Sequence, residues 1–256
     1  MLTRRQVVIY DFDYGSSAQP SLTKKAAYRT ATAPIDMCVV DNIIAVTDLM
    51  KSMSLVEYSP GQHGVPDTLS EVARHFDTLW GTAVANVAEN TYLQSDAEGN
   101  LVVLQHDVNG FSEEDRKRLR VTSEMLLGEM VNRIRRIDVT PTPGALVIPR
   151  AFLATVEGSI YLFALIAPGK QDLLMRMQSK MADMVQGLGN VDFIKFRGFK
   201  NQVRDESATG PGRFVDGELI ERFLDCPREI QEEIVKDLGV GVDEAWGMVE
   251  SLRRIH

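Results

Sequence analysis

Through the first two thirds of the chain, apolar and polar residues alternate in short runs separated by turn signals. A strand sends successive side chains to opposite faces, so this period of two predicts half-buried β-strands. They are expected at 6–12, 35–40, 42–47, 52–58, 69–76, 82–87, 101–106, 123–134, 151–156 and 159–166. Three joints read as tight hairpins: Asp48-Leu49-Met50-Lys51, Asp96-Ala97-Glu98-Gly99-Asn100 and Glu157-Gly158. They recur about every 50 to 60 residues, the length of a four-stranded blade with one long loop, which favours a β-propeller over a sandwich. Roughly ten strands make two to three blades, whereas propellers close with about 4 to 8, so an unpaired strand edge is expected near 6–12. Residues 112–118 start acidic and end basic, the charge order of a helical turn or two on a loop.

After Pro168-Gly169 the period changes. Leu173, Leu174, Met177, Met181, Met184, Val185 and Leu188 fall on one face of a helix, with Gly187 and Gly189 as its stop. This methionine-rich stripe is expected to pack against the β-rich part. Three shorter helices are predicted over 216–224, 227–238 and 243–255, with Asp216 and Asp243 as N-caps, Pro227 in a first turn and Gly239 as a C-terminal cap. Residues 205–213 read as a polar, glycine-rich, mobile loop. The expected fold class is mainly β with a C-terminal α domain: residues 1–167 a partial β-propeller, residues 168–256 a small helical domain.

The first hairpin breaks the turn rules. Turns favour Gly, Asn, Asp and Pro, which tolerate or pre-set the required φ, and of its residues only Asp48 fits. Leu49 and Met50 either tuck under a neighbouring loop or form an exposed hot spot beside Lys51 that a partner buries. A second candidate anchor is Arg74-His75-Phe76-Asp77-Thr78-Leu79-Trp80, because Arg and Trp are enriched at interface hot spots.

Composition narrows the function classes. The 256 residues suffice for one large or two modest domains, and 44% hydrophobic with 25% charged residues is ordinary for a globular chain. The longest apolar run, 160–167, is too short to cross a bilayer. Met1-Leu2-Thr3-Arg4-Arg5 leads into a strand-like run rather than a signal-peptide core, and Cys38 and Cys226 form no disulfide framework, so a reducing, intracellular setting is expected. A net charge of -8 opposes a large phosphate-binding surface and favours protein partners.

Candidate chemistry is sparse. VVIYDFDYG, a hydrophobic strand ending in Asp11-x-Asp13, resembles the start of a haloacid-dehalogenase phosphotransferase, in which the two aspartates serve as nucleophile and general acid near Mg²⁺. That family continues with Gly-Thr and alternating helices and strands. This chain continues with Tyr14-Gly15-Ser16 and more strands, as a strand running into an acidic turn would. Gly210-Pro211-Gly212-Arg213 lacks the Lys-Ser/Thr of a P-loop and reads as a linker. His63, His75, His106 and His256 show no metal-ligand spacing, and no cofactor is expected. The clusters Arg116-Lys117-Arg118-Leu119-Arg120 and Arg133-Ile134-Arg135-Arg136 have carboxylates nearby and no interleaved aromatics, which suits a salt-bridged face better than a nucleic-acid site.

Four segments carry a more specific pattern: DLMKS at 48–52, EVARHFDTLW at 71–80, GRFVDGELIERFLD at 212–225 and the ending Arg253-Arg254-Ile255-His256. In this order they resemble the C-terminal portion of a family of large adaptor subunits. It includes the large subunit of the UV-damaged-DNA-binding protein, an adaptor of type-4 cullin-RING ubiquitin ligases, and large subunits of a cleavage and polyadenylation factor and of a splicing complex. The resemblance runs from about residue 5 to the end. It implies three seven-bladed propellers and a helical domain, of which this chain covers the last blades of the third propeller and that domain. It further implies a non-enzymatic, nuclear (also cytoplasmic) scaffold in ubiquitin ligation and nucleotide-excision repair. WD40-type substrate receptors would dock by a helix or loop, a cullin would bind only parts of the family's chains absent here, and damaged DNA would be contacted indirectly. An RNA-processing role is the alternative within the family. Carried over, the docking face comprises Leu49, Met50, Lys51, Arg74, Trp80, Met37 and Leu153. Lys51 stands where Arg is common in the family, so a bidentate fork there is lost.

Overall fold

The computed structural model describes residues 2–3, 5–15, 19–185, 187, 189, 191–201 and 210–255. Four antiparallel sheets follow one another along the chain, each a meander in which every strand pairs with its sequence neighbour. The first holds β1 (Leu2–Thr3), β2 (Gln6–Asp13) and β3 (Ser21–Arg29). The second holds β4 (Pro34–Val40), β5 (Ile43–Asp48), β6 (Ser52–Ser59) and β7 (Thr68–Arg74). The third is β8 (Gly81–Ala88), β9 (Thr91–Asp96), β10 (Asn100–His106) and β11 (Leu119–Leu126), and the fourth β12 (Val131–Arg136), β13 (Val147–Thr155) and β14 (Ile160–Ile166). The leading strands β4, β8 and β12 lie against one another in turn, while the last strands β3 and β7 meet at a separate contact.

An apolar core fills each junction between sheets. Val7, Ile44, Val46 and Val56 join the first two. Met53, Leu55, Leu79, Leu104 and Leu119 join the second and third. Leu93, Leu101, Ile134, Leu153 and Phe163 join the third and fourth. Each such side chain contributes about 1.5–3 kcal/mol when fully buried, so stacking neighbouring sheets is what stabilises each of them.

Several sequence expectations need correction. The β-rich part has four meanders, not two to three blades, and the edge expected at 6–12 is met by β1 at Gln6 and Val7 alone, while β3 pairs along the whole other side of β2. The single strand expected at 123–134 is two strands of different sheets, broken where Gly128 takes φ 91. β3 and β9 were not anticipated, for opposite reasons. β3 is mostly exposed and so has no apolar stripe. β9 is buried on both faces, Tyr92 entering one core and Leu93 the next, with Gln94, Ser95 and Asp96 also buried.

Beyond the sheets, α1 (Glu113–Arg116) is the short helix expected on a loop, capped by the Ser112 side chain. The later helices are α2 (Gln171–Met184), α3 (Phe193–Arg197), α4 (Gly217–Glu221) continued by a 3-10 turn (Arg222–Asp225), α5 (Arg228–Val235) and α6 (Val242–Arg253). The α2 stripe does not pack on the strands. Met177 and Met181 enter a core made with Ile220, Phe223, Ile234 and Val249 of the other helices. α2 ends at Met184, before Gly187; Leu188, most of the loop expected at 205–213 and His256 lie outside the described residues. Asp216 caps α4 as expected, its side chain accepting from the Glu218 N–H. Asp243 does not cap α6: Gly241 does, and Asp243 sits in the first turn, paired with Arg228 at 2.8 Å.

Helices and sheets are joined at a few defined points. Arg197 is 3% exposed and donates to Asp216, Glu218 and the Leu127 carbonyl, each at 2.7 Å. Phe214 meets Phe163 edge to face, and Phe199 enters the core between the second and third sheets. Lys200 is held by Asn100, whose amide accepts from its N–H (3.1 Å) and donates to its carbonyl (2.7 Å).

Candidate functional site

The second, third and fourth sheets each carry a hairpin at the same place in the meander: Asp48 to Ser52, Asp96 to Asn100 and Thr155 to Ser159. In the last two, Gly99 (φ 85) and Gly158 (φ 100) take the left-handed position that such a loop requires. In the first, that conformation falls one residue later, on Ser52 at φ 60. Serine tolerates it because its surroundings hold it. Its N–H donates to the Leu79 carbonyl (3.2 Å), and its hydroxyl lies 2.8 Å from His75 Nδ1 and donates to Gln94 Oε1 at 3.1 Å.

Asp48 fixes the rest of the loop. It is 5% exposed and accepts from the Thr32 N–H (2.8 Å), the Thr32 hydroxyl and the N–H groups of Met50 (3.1 Å) and Lys51 (3.2 Å). The Leu49 N–H donates to Ala33. With its backbone held, the tip does not tuck its side chains away: Leu49 is 42% and Met50 44% exposed. Trp80, next to the residue that receives the Ser52 N–H, is 46% exposed.

Beside the tip runs a groove of about 220 Å³ lined by residues including Thr30, Lys51, Ser54, Arg74, His75 and Phe76. It brings Lys51 and Arg74 together, 23 residues apart in sequence. Met37 lies next to it, half-buried and paired in register with Val46, another lining residue. Leu153 does not share this face: it is 2% exposed in the core between the third and fourth sheets, where inward-facing positions of β13 must go.

Arg74 is anchored from below. Its Nε and Nη2 donate to the two oxygens of Glu71, both at 2.6 Å, and the Tyr28 hydroxyl, from the neighbouring sheet, donates to the same carboxylate. Burial, then the hydrogen bond to Glu71, pushes the Tyr28 phenol up to about 12. Burial would raise the Glu71 carboxyl, but donation from Arg74 and Tyr28 outweighs it and holds the group below its ordinary range. Phenol and carboxylate therefore remain donor and acceptor through neutral pH. Tyr28 carried no signal in the sequence and Glu71 only as the first residue of the 71–80 segment, since the two lie 43 residues apart and meet only across two sheets.

The alternative chemistry fares differently. Asp11 is exposed and 3.4 Å from Lys25, and Asp13 accepts from the Gly15 N–H. They lie on an antiparallel meander, and among the described residues no helix falls between β2 and β5, which overturns the phosphotransferase reading, built as that fold is from alternating strands and helices. The basic clusters are paired as expected: Lys117 with Glu113, Arg120 with Asp115, Arg133 with Asp36 and Arg136 with Asp138. Among the described residues no group of three or more His, Cys, Asp or Glu is placed to hold a metal, and no helix is long and apolar enough to cross a membrane. Burial pushes the Cys38 thiol up to about 12.

A family model, the CPSF A subunit region, matches residues 3–225, across all four sheets and up to the end of the 3-10 turn. The chain belongs to the CPSF A subunit family. Among relatives in that family, DNA damage-binding protein 1 of Schizosaccharomyces pombe is 29% identical over 257 aligned residues, covering 98% of this chain and 23% of that protein. DNA damage-binding protein 1b of Arabidopsis thaliana is 34% identical over 218 residues, 84% of this chain and 19% of that protein. The corresponding protein of Oryza sativa subsp. japonica is 32% identical over the same shares. The chain thus spans about a quarter or less of the length of these curated relatives. The CPSF A match contains the whole groove, hairpin tip included, whereas α5 and α6 lie beyond it.

Proposed function

We propose that this chain is a non-enzymatic scaffold segment that docks other proteins at the 48–52 hairpin tip and the groove beside it. The observation that carries this reading is the tip itself: a rigidly held turn presenting Leu49, Met50 and Lys51 where turn chemistry calls for small polar residues. Residues 1–167 are read as the last blades of a seven-bladed propeller and 168–256 as a helical domain. Following the names of its relatives, the role is in the response to DNA damage; the resemblance of the four sequence segments extends this reading to a nuclear (also cytoplasmic) cullin-RING adaptor linked to nucleotide-excision repair. The partners are WD40-type receptors entering by a helix or loop, while the cullin is held by other parts of a longer protein and damaged DNA is reached through the receptor. Leu49, Met50 and Trp80 supply the apolar contact and Lys51 and Arg74 its polar edge, with Met37 behind them. The CPSF A description of the matched region supports a second reading, a scaffold in RNA cleavage and polyadenylation using the same face.

Photo-crosslinking from position 50 in the intact protein, read by mass spectrometry, identifies the docked segment. Burial of Leu49 and Met50 is worth about 1.5–3 kcal/mol each, and truncating an aromatic anchor costs about 2 or more. Leu49→Asp with Trp80→Ala is therefore expected to weaken binding of that segment roughly 1,000-fold while leaving the melting temperature in place. Equal binding by parent and double variant would make the tip structural and overturn the proposal.

A further inference from the structure

The hairpins at 48–52, 96–100 and 155–159 place β6, β10 and β14 third in their sheets, counted from β4, β8 and β12. In the second and third sheets a fourth strand follows: β7 pairs along β6, and β11 along the whole of β10. After β14 the chain turns into α2, and among the described residues β14 pairs with β13 alone. The Ser159 carbonyl accepts from the Thr155 N–H and the Ala167 N–H donates to Leu146, so the odd-numbered residues of this strand bond toward β13. Backbone groups alternate in direction along a strand, which turns the N–H and C=O groups of Ile160, Leu162, Ala164 and Ile166 outward. Outermost strands are normally blunted by charge, proline or a bulge, which keep other chains from pairing with them. β7 carries Glu71 and Arg74, and β11 carries Arg120 and Glu124. β14, IYLFALI, has no charge and no proline, and the register shift beside it lies between Pro149 and Ala151 of β13. Its composition is that of an inner strand, yet Ile160 is 73% exposed and only Phe163 of its seven residues is buried.

We propose that the outer edge of β14 receives a β-strand supplied by the same polypeptide from outside residues 1–256, paired antiparallel as β7 and β11 are in their sheets. Adding a strand to an open edge satisfies the free row of backbone groups, and alternate side chains set its specificity. The occupant is extended over about seven residues and apolar at the alternate positions that face the core of Leu153 and Phe163. The relatives carry more than three quarters of their length outside the region that this chain spans, ample chain from which to draw such a strand. An uncharged edge left open between encounters with a separate partner would pair with any exposed strand, which favours an occupant that belongs to the chain itself. None of this depends on docking at the 48–52 tip.

Amide hydrogen exchange in the intact protein, resolved to single residues by mass spectrometry, tests this. The amides of Tyr161, Phe163 and Leu165, bonded toward β13, are the internal reference. Those of Ile160, Leu162, Ala164 and Ile166 are expected to exchange within about tenfold of that reference, and roughly 100-fold or more slower than in residues 1–256 alone. A benzophenone side chain at position 160 is expected to crosslink to an extended segment of the same polypeptide outside residues 1–256, and a mixture of ¹⁵N-labelled and unlabelled protein separates this from a crosslink between copies. Deleting the crosslinked segment should release the four outward amides and leave the reference amides slow. Fast outward amides in the intact protein overturn the proposal. So does full protection of them in residues 1–256, which would mean that the chain covers its own edge. A crosslink to a second copy or to a separate protein overturns the supply of the strand by the chain itself. Should residues 1–256 not fold alone, the contrast between outward and reference amides in the intact protein still decides.

Discussion

Replacing Arg197 by alanine is expected to lower the stability of the chain by about 3–5 kcal/mol, the usual cost of removing one member of a buried ion pair. The loss has three parts. Asp216, 7% exposed, keeps its charge in a buried site with its principal partner gone. The Leu127 carbonyl, at the end of the third sheet, loses its donor. Glu218 is freed, but it is well exposed and its contribution is small. Because the same guanidinium ties α4 to the sheets, the helical segment should melt before the strands, and a scan followed by both circular dichroism and tryptophan fluorescence should resolve two steps where the parent shows one. Arg197→Met combined with Asp216→Asn removes both charges and should recover about 1–2 kcal/mol relative to Arg197→Ala. A single transition within a degree of the parent for Arg197→Ala would mean that the buried pair does not couple helices to sheets.

The second large effect is expected at Gly81, which opens the third sheet opposite Asp96. A Cβ there would stand 1.9 Å from Thr47 Oγ1, 3.1 Å from Gln94 Nε2 and 3.2 Å from the Asp48 carbonyl. Thr47 and Gln94 are both fully buried, and a β-branched side chain has few rotamers to retreat into. Gly81→Ala must therefore push β8 away from β5, at a cost of about 3 kcal/mol. For a chain of this size that lowers the melting temperature by roughly 6–12 °C. The Thr47 hydroxyl has no hydrogen-bond partner among the described residues, so Thr47→Ala sacrifices little. In the Gly81→Ala background it should relieve the clash, giving a coupling of about 1 kcal/mol or more in a double-mutant cycle. Gly81→Ala melting with the parent would show that the second and third sheets adjust freely, which their shared core argues against.

Strands that bury one face were legible in the sequence, because alternation is what one-sided burial produces. β9 was not, since half of its residues, Gln94, Ser95 and Asp96, are polar although buried, and β3 was not, since a mostly exposed strand has no apolar stripe. The period of α2 revealed which face is apolar but not what covers it; the covering residues, Ile220, Phe223 and Ile234, lie some 40 to 60 residues further on and assemble only in the fold. At the candidate site, Leu49, Met50 and Lys51 stood out by violating turn chemistry, and Arg74 and Trp80 by residue type. Their common setting around one groove, and the Tyr28–Glu71 contact beneath it, depend on which sheets become neighbours. Leu153 entered by resemblance to a family, and its burial reflects the inward side of a strand that resemblance alone does not resolve.

The three equivalent hairpins are not equally vacant. At the third sheet, Asn100 already grips Lys200, and Asn201 donates to the Thr78 carbonyl close by, so a stretch of the chain's own backbone lies over that position. A tethered segment acts at an effective concentration in the millimolar range, set by its connection rather than by its abundance in solution. A free partner reaching for the hairpin of the third sheet would compete against that tethered occupant and lose most of its apparent affinity. At the hairpin of the second sheet Leu49 and Met50 remain exposed, so a partner that docks there meets no such rival.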